Sequence, residues 1–192
     1  MAAATATTLS TFKSALTYGG ARPSLFDIQI TAPSGFVGME GLDQSQFKCH
    51  VSEIPGLTVT PIEKQYFGRT VKIPGELTFG TLSTTFYNTE KYEIRKSIEI
   101  WQEKLNGQET NFGMSGKVSA WAGGVTLRQY TKAGAASMTY SFIDCWPSSI
   151  TAIDLNYDTV GDVETFSVTW EYNYYTSANG HTNKVAAFAT QN

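Results

Sequence analysis

Residues Glu164–Tyr175 read ETFSVTWEYNYY. Phe166, Val168, Trp170, Tyr172 and Tyr174 alternate with Thr165, Ser167, Thr169, Glu171 and Asn173. In an extended chain the first set shares one face and the polar set shares the other, which is the signature of a half-buried strand. The period recurs upstream. LFDIQIT places Phe26, Ile28 and Ile30 opposite Asp27, Gln29 and Thr31, and QFKCHVSE predicts a strand with Phe47, Cys49 and Val51 inward. In LTFGTLSTTFY the phase slips between Phe79 and Leu82, as a bulge at Gly80-Thr81 would make it do. VTLRQY and SMTYSFIDCW add strands joined by a turn at 132–136, and Trp146-Pro147 is expected to end the second of them.

One segment breaks the pattern. Ile94, Ile98, Trp101 and Leu105 follow helical spacing, which predicts a helix over 89–106 with Asn88 as N-cap, an Arg95–Glu99 pair and Asn106-Gly107 as terminator. Ile100 and Tyr92 lie off its stripe and call for other cover. Leu9, Phe12 and Leu16 suggest a short amphipathic N-terminal arm over 1–20. Residues 107–123 are Gly/Ser-rich and read as loop, and a segment with Ile150, Ile153 and Leu155 leads to the acidic turn before the last strand. The polar tail 176–192 reads as a flexible extension. The sum is a mainly β, antiparallel sandwich or barrel of about seven strands with one flanking α-helix.

Bulk properties narrow the function. With 192 residues, 41% of them apolar and only 16% charged, the chain fits one domain with a real core. A net charge of −3 argues against a grip on nucleic acid by basic patches, though not against nucleic acid passing unheld. The N-terminus lacks the charged and apolar regions of a secretory signal, and no apolar run is long enough to span a bilayer. Two cysteines, Cys49 and Cys145, do not make a disulfide framework and read as buried thiols.

Catalytic parts are scarce. Cys49 and His50 are adjacent, so on a strand they face opposite sides and cannot form a dyad with each other. His181 falls in the polar tail. DLNYDTVGD puts Asp154, Asn156 and Asp158 at calcium-loop positions, but Thr159 stands where the turn glycine belongs and Thr165 where the bidentate glutamate belongs, so it reads as a turn. The segment around Lys117 fails the phosphate-loop pattern, with Asn111 in place of the first glycine and Val118 in place of Ser/Thr. Trp170, Tyr172 and Tyr174 read as core rather than as a sugar or base platform. No cofactor, metal or catalytic residue is expected.

The oddity is residues 54–75, IPGLTVTPIEKQYFGRTVKIPG. Ile-Pro-Gly opens and closes the stretch, which predicts two corners bounding a long loop. Leu57 and Val59 alternate like a strand, then Pro61 removes a ladder donor. A loop this long in a compact domain is usually functional, and its apolar residues suggest burial against a partner.

In order and spacing, ARPSLFDIQI (21–30), FKCHVSEIPG (47–56), YFGRTVKIPGELTF (66–79) and WPSSITAIDLNYDTVGDVETFSVTWEYNYY (146–175) resemble the tail tube proteins of contractile-tailed bacteriophages, over roughly residues 12–175. The resemblance implies a tube domain over 21–175 that contributes strands to a closed inter-subunit barrel in a hexameric ring. It further implies rings stacked into a tube, no catalysis, and location in the virion tail after assembly in the host cytoplasm. Expected partners are further copies, the sheath, baseplate, tape-measure and tail-terminator proteins, and genomic DNA that passes without specific binding. On this reading Leu57, Val59, Ile62, Tyr66, Phe67, Arg69 and Lys72 form subunit interface, and Asp27, Gln29 and Glu171 line the channel. Alternatives are a tube of a contractile bacteriocin or type VI-like secretion device, and a carbohydrate-binding β-sandwich.

Overall fold

The computed structural model describes residues 9–16, 20–113, 116–158 and 161–178. Its framework is an antiparallel seven-stranded sheet. The strands are β1 (Phe26–Thr31), β2 (Cys49–Ser52), β5 (Leu82–Tyr87), β6 (Gly123–Tyr130), β7 (Ala136–Ile150), β8 (Thr165–Glu171) and β9 (Tyr174–Ala178). They run in the order β1-β6-β7-β8-β5-β2, with β9 also on β7. A separate two-stranded hairpin holds β3 (Leu57–Tyr66) and β4 (Arg69–Phe79). Among the described residues three α-helices complete the set, α1 (Leu9–Ala15), the single turn α2 (Ser45–Lys48) and α3 (Glu93–Leu105), with short 3-10 turns at Glu40–Gln44 and Val118–Ala120.

Alternation in β1, β6 and β8 turns Ile28, Ile30, Val125, Leu127, Phe166, Val168 and Trp170 into one core. The helix α3 closes it with Ile94, Ile98 and Trp101, all buried, and Leu105 packs at its margin. Trp101 meets Trp170 edge to face at 5.8 Å. Each indole is satisfied: Trp101 Nε1 donates to the Trp121 carbonyl at 2.9 Å, and Trp170 Nε1 donates to Thr84 Oγ1 at 2.8 Å. Two large aromatics can therefore be buried without an unpaired donor.

The helix starts four residues later than its pattern predicts. Asn88, the expected cap, is held elsewhere: its backbone N–H and its Nδ2 both donate to Glu164, each at 2.8 Å. Tyr92, at φ 54°, then takes the N-cap position. The predicted Arg95–Glu99 pair is present at 2.8 Å, and Ile100 is covered by the segment that carries Gly38.

Four further expectations are corrected. Residues 45–48 form the turn of α2, not a strand, which leaves Phe47 and Val51 exposed. The reason is visible in Ser45, whose hydroxyl donates to the Ile28 carbonyl and accepts from Ile30 N–H on the edge of β1. The short helix thus links edge strand β1 to edge strand β2. At Gly80-Thr81 the chain changes sheet rather than bulging within one strand. Pro147 does not end β7, because it sits opposite Trp170, whose backbone groups turn toward β5, so no ladder bond is lost. Finally, β8 breaks at 172–173 opposite Asp144, which has φ 57°. The slip turns Tyr175 inward beside Tyr172 and leaves Tyr174 exposed. The strand that resumes runs to Ala178, past Tyr175.

Gly123 marks the tightest approach of sheet to helix. A Cβ there would clash with the Thr31 carbonyl oxygen and lie 2.5 Å from Trp101 Cη2. Gly123→Ala is expected to destabilise the fold by about 1–3 kcal/mol through overpacking, read as a lower denaturant midpoint at unchanged slope.

Candidate functional site

The residues that could carry catalysis are kept apart. Cys49 Sγ donates to the Val51 carbonyl at 3.4 Å, while the His50 ring lies against Tyr87, with Nδ1 2.8 Å from the phenol oxygen. Both cysteines are free thiols, and burial pushes each up to about 12. In the acidic turn, Asn156 Oδ1 accepts from Asp158 N–H at 3.0 Å, a local turn bond that occupies a would-be metal donor. Thr159 of the same motif and His181 lie outside the described residues. Among the described residues no group of three or more His, Cys, Asp or Glu side chains is placed to hold a metal, and no helix is long and apolar enough to cross a membrane.

The segment from 54 to 75 is not a loop between two corners. It is most of a hairpin, β3–β4, in register from Leu57↔Phe79 to Tyr66↔Arg69. The first Ile-Pro-Gly precedes β3 as a corner, and the Gly56 carbonyl accepts from Gly80 N–H at 3.0 Å to clip the base shut. The second is inside β4, where Ile73 and Pro74 face Ile62 and Pro61. The turn uses two residues, Phe67 and Gly68, both at positive φ (43° and 75°), the geometry that matches strand twist in a two-residue hairpin. Phenylalanine is a poor residue for that conformation, so the turn signal is easily missed in sequence.

Apart from its base, the hairpin is largely free of the other described elements of its own chain. Phe79 is the exception, edge-on to Tyr172 and Tyr175 at 6.1 and 5.6 Å. Tyr172 also donates from its hydroxyl to the Gly80 carbonyl, and burial pushes that phenol up to about 12. Beyond this anchor Leu57, Val59, Ile62 and Tyr66 are all exposed, and Phe67 is 91% exposed. Arg69 and Lys72 are exposed as well, with Lys72 paired to Glu63 at 3.0 Å. All seven expected interface residues therefore share one protruding element. Val71, Ile73 and Leu77 belong with them and were not singled out from sequence, since their strand is recognisable only once its partner is known.

The second feature is a polar sheet face. Asp27 and Gln29 project from β1 beside their β6 neighbours Arg128 and Thr126. Asp27 Oδ2 accepts from the Tyr130 hydroxyl at 2.8 Å and lies 3.7 Å from Arg128, and Arg128 also donates to Gln29. The row continues through Thr139 and Ser141 of β7 to Thr176 of β9. Its one cation is held by its neighbours, so the face is polar with little free charge. Glu171 is not beside Asp27 and Gln29; it lies on β8, across β6 and β7 from them.

The described residues thus form a mainly β domain with one flanking helix and a long, largely exposed hairpin. Residues 21–178 match the family described as phage tail tube protein, and the chain belongs to that family. It is 25% identical over 156 residues to tail tube protein gp19 of Enterobacteria phage T4, covering 81% of this chain and 90% of that protein. It is 24% identical over 170 residues to the tail tube protein of Serratia phage KSP90, covering 86% and 94%. Among solved structures, the fold is shared with a chain of the PVC sheath/tube terminator of an extracellular contractile injection system, at TM-score 0.60 and 13% identity over 81% of this chain and 94% of that one. It is also shared with a chain of the PVC sheath–tube complex, at TM-score 0.56 and 15% identity over 88% and 98%.

The thiol environments give a pH prediction. Unfolded cysteine ionises near 9, whereas both folded thiols are raised to about 12. Between these values the unfolded chain has lost protons that the native chain retains, so native stability falls as pH rises from about 9. At pH 8 the native protein is expected to react with a thiol-disulfide reagent far more slowly than the denatured chain. Rapid stoichiometric labelling of native protein is the contrary outcome.

Proposed function

We propose that this chain is the structural subunit of a contractile phage tail tube, in which hexameric rings stack into a channel that conducts viral DNA during sheath contraction. The observation that carries the reading is the β3–β4 hairpin, a ribbon with half-exposed apolar side chains on both strands and a base anchored by Phe79. In water such a ribbon gains little by itself, and two-stranded hairpins are marginal alone. Contact with further copies of the chain gives it the missing cover. Leu57, Val59, Ile62, Tyr66, Phe67, Arg69 and Lys72 are its interface residues in this reading, and strands from neighbouring subunits close a barrel that removes free sheet edges.

The channel wall is drawn from the polar faces, with Asp27, Gln29 and Glu171 as its acidic and amide groups. A conduit must not hold its cargo, because each phosphate contact made by Lys or Arg releases counterions and binds DNA. Pairing of Arg128 with the Asp27 carboxylate, and its hydrogen bond to the Gln29 amide, suit that requirement. The other partners follow from the same reading: sheath outside, baseplate and terminator at the ends, tape measure within, all in the virion tail after assembly in the host cytoplasm. Three phage proteins among the sequence relatives favour a phage tube over a bacteriocin or secretion tube.

Electron microscopy of the purified protein tests this directly, with rings or hollow tubes expected. Tyr66→Ser combined with Phe67→Ser is expected to leave the thermal transition of the subunit within a degree or two while lowering tube yield at least severalfold, since both side chains are exposed and touch each other rather than the core. Unchanged tube yield in that variant would remove the hairpin from the interface.

A further inference from the structure

The polar face of β1, β6, β7 and β9 is nearly free of charge. Along β1, β6, β9 and the part of β7 before the bend at Asp144, the one carboxylate is Asp27 and the one strong base is Arg128. The two stand directly opposite each other in the β1–β6 register. On its other flank Arg128 has Thr139 of β7, a neutral residue. Anion and cation are therefore placed side by side on a surface that otherwise offers hydroxyls and amides.

The contacts of this pair are of two kinds. Each direct hydrogen bond has a neutral partner: the Tyr130 hydroxyl donates to Asp27 Oδ2 at 2.8 Å, and the Gln29 amide oxygen accepts from Arg128. Between the two charges the distance is 3.7 Å, longer than a hydrogen bond and within reach of an ion pair. The other carboxylate oxygen, Asp27 Oδ1, is buried and has no partner among the described residues. Burying a carboxylate with one oxygen unpaired is unfavourable. An asparagine would accept from Tyr130 equally well at a lower desolvation cost. What only aspartate supplies at this position is a negative charge beside Arg128. Holding β1 in place does not require that charge, because the strand pairs with β6 along its whole length and buries Ile28 and Ile30.

We propose that Asp27 is a charge mask, which cancels the field of Arg128 so that a polyanion moving along this face meets no uncompensated cation. This rests on the reading of the face as channel wall, and it names the residue on which release of DNA from that wall depends. The Arg128 side chain is 31% exposed, so a phosphate could reach it if its charge were not compensated. In an assembly of identical subunits every copy repeats the pair, and unmasked guanidinium groups would form a girdle of cations. Phosphate contacts made by such a girdle add up: the salt slope of binding is about 0.9 per phosphate, so even two contacts give roughly a tenfold change in retention between ~50 and ~200 mM salt. Gln29 cannot replace Asp27 in this role, because an amide orients the guanidinium without altering the net charge.

Asp27→Asn removes the charge and keeps the Tyr130 hydrogen bond, so tubes of this variant are expected to form with an unchanged thermal transition. Wild-type tubes sedimented with a short fluorescent DNA duplex are expected to leave it in the supernatant. Asp27→Asn tubes are expected to carry down at least tenfold more DNA, released by salt. Adding Arg128→Gln to that variant should abolish retention, and adding Thr139→Asp, which puts a carboxylate on the other flank of Arg128, should also abolish it. Thr126→Lys places a cation with no opposing carboxylate on the same face and serves as the control for the face itself. DNA retention by Thr126→Lys but not by Asp27→Asn overturns the mask and leaves the channel wall intact. Retention by neither variant overturns the channel-wall reading. Retention that survives Arg128→Gln places the DNA elsewhere and overturns the mask. Failure of Asp27→Asn to fold or assemble makes the pair a structural tie and overturns it as well.

Discussion

Strand β7 serves two sets of partners, and the subunit is organised around how it does so. Its first ten residues pair with β6 on one side and β9 on the other, and its last five pair with β8. The change falls at Asp144, held at a left-handed φ of 57° and bonded through its carboxylate to Asn173 Nδ2 at 2.8 Å. That conformation is uncommon for a residue with a side chain, though aspartate tolerates it better than most. Without the bend, β8 and β9 would be one straight strand. With it, the β1-β6 half and the β5-β2 half of the sheet turn their apolar faces onto the same core, which α3 then covers.

The parts of this arrangement legible in the sequence are those fixed by local alternation. Phe26, Ile28 and Ile30 point inward as their spacing requires, and so do Phe166, Val168 and Trp170, because nothing interrupts the period within those segments. Ile94, Ile98 and Trp101 face the sheet for the same reason. What could not be read depends on partners far along the chain. Asn88 reads as a helix cap until Glu164, seventy-six residues away, takes its side chain and backbone. Tyr174 continues the alternation of β8 on paper, yet the bend opposite Asp144 exchanges it for Tyr175. Phe47 looks like a strand residue, whereas the need to satisfy the Ile28 and Ile30 backbone through Ser45 makes its segment helical.

The hairpin shows the limit from the other direction. Its exposed aliphatic and aromatic residues are recognisable in sequence as too apolar for solvent, but not as one surface, because which side chains share a face depends on register. The shift between Val59 and Pro61 decides that, and it is set by a glycine whose role is to admit a carbonyl oxygen and a methylene at close range. The repeated Ile-Pro-Gly misleads for the same reason: the first copy turns the chain, while the second lies flat in a strand with its proline opposite another proline. Identical tripeptides take different roles because one lies before the ladder and the other within it.

The core and the ribbon thus draw on different side chains. The core draws on β1, β5, β6, β7, β8 and α3, and among the described residues none of its fully buried members comes from β3 or β4. A subunit built this way can fold before it meets a neighbour, since losing contacts along the ribbon removes nothing from the core. Among the described residues Phe79, Tyr172 and Tyr175 join the two, Phe79 by ring packing on both tyrosines and Tyr172 also by its hydroxyl on Gly80. That joint fixes the direction in which the ribbon leaves the domain, and an assembly of identical subunits depends on that direction being the same in each. An aromatic clamp with one hydrogen bond is stiffer than a glycine corner alone, which accounts for a tyrosine at the break between β8 and β9, where strand alternation by itself does not require one.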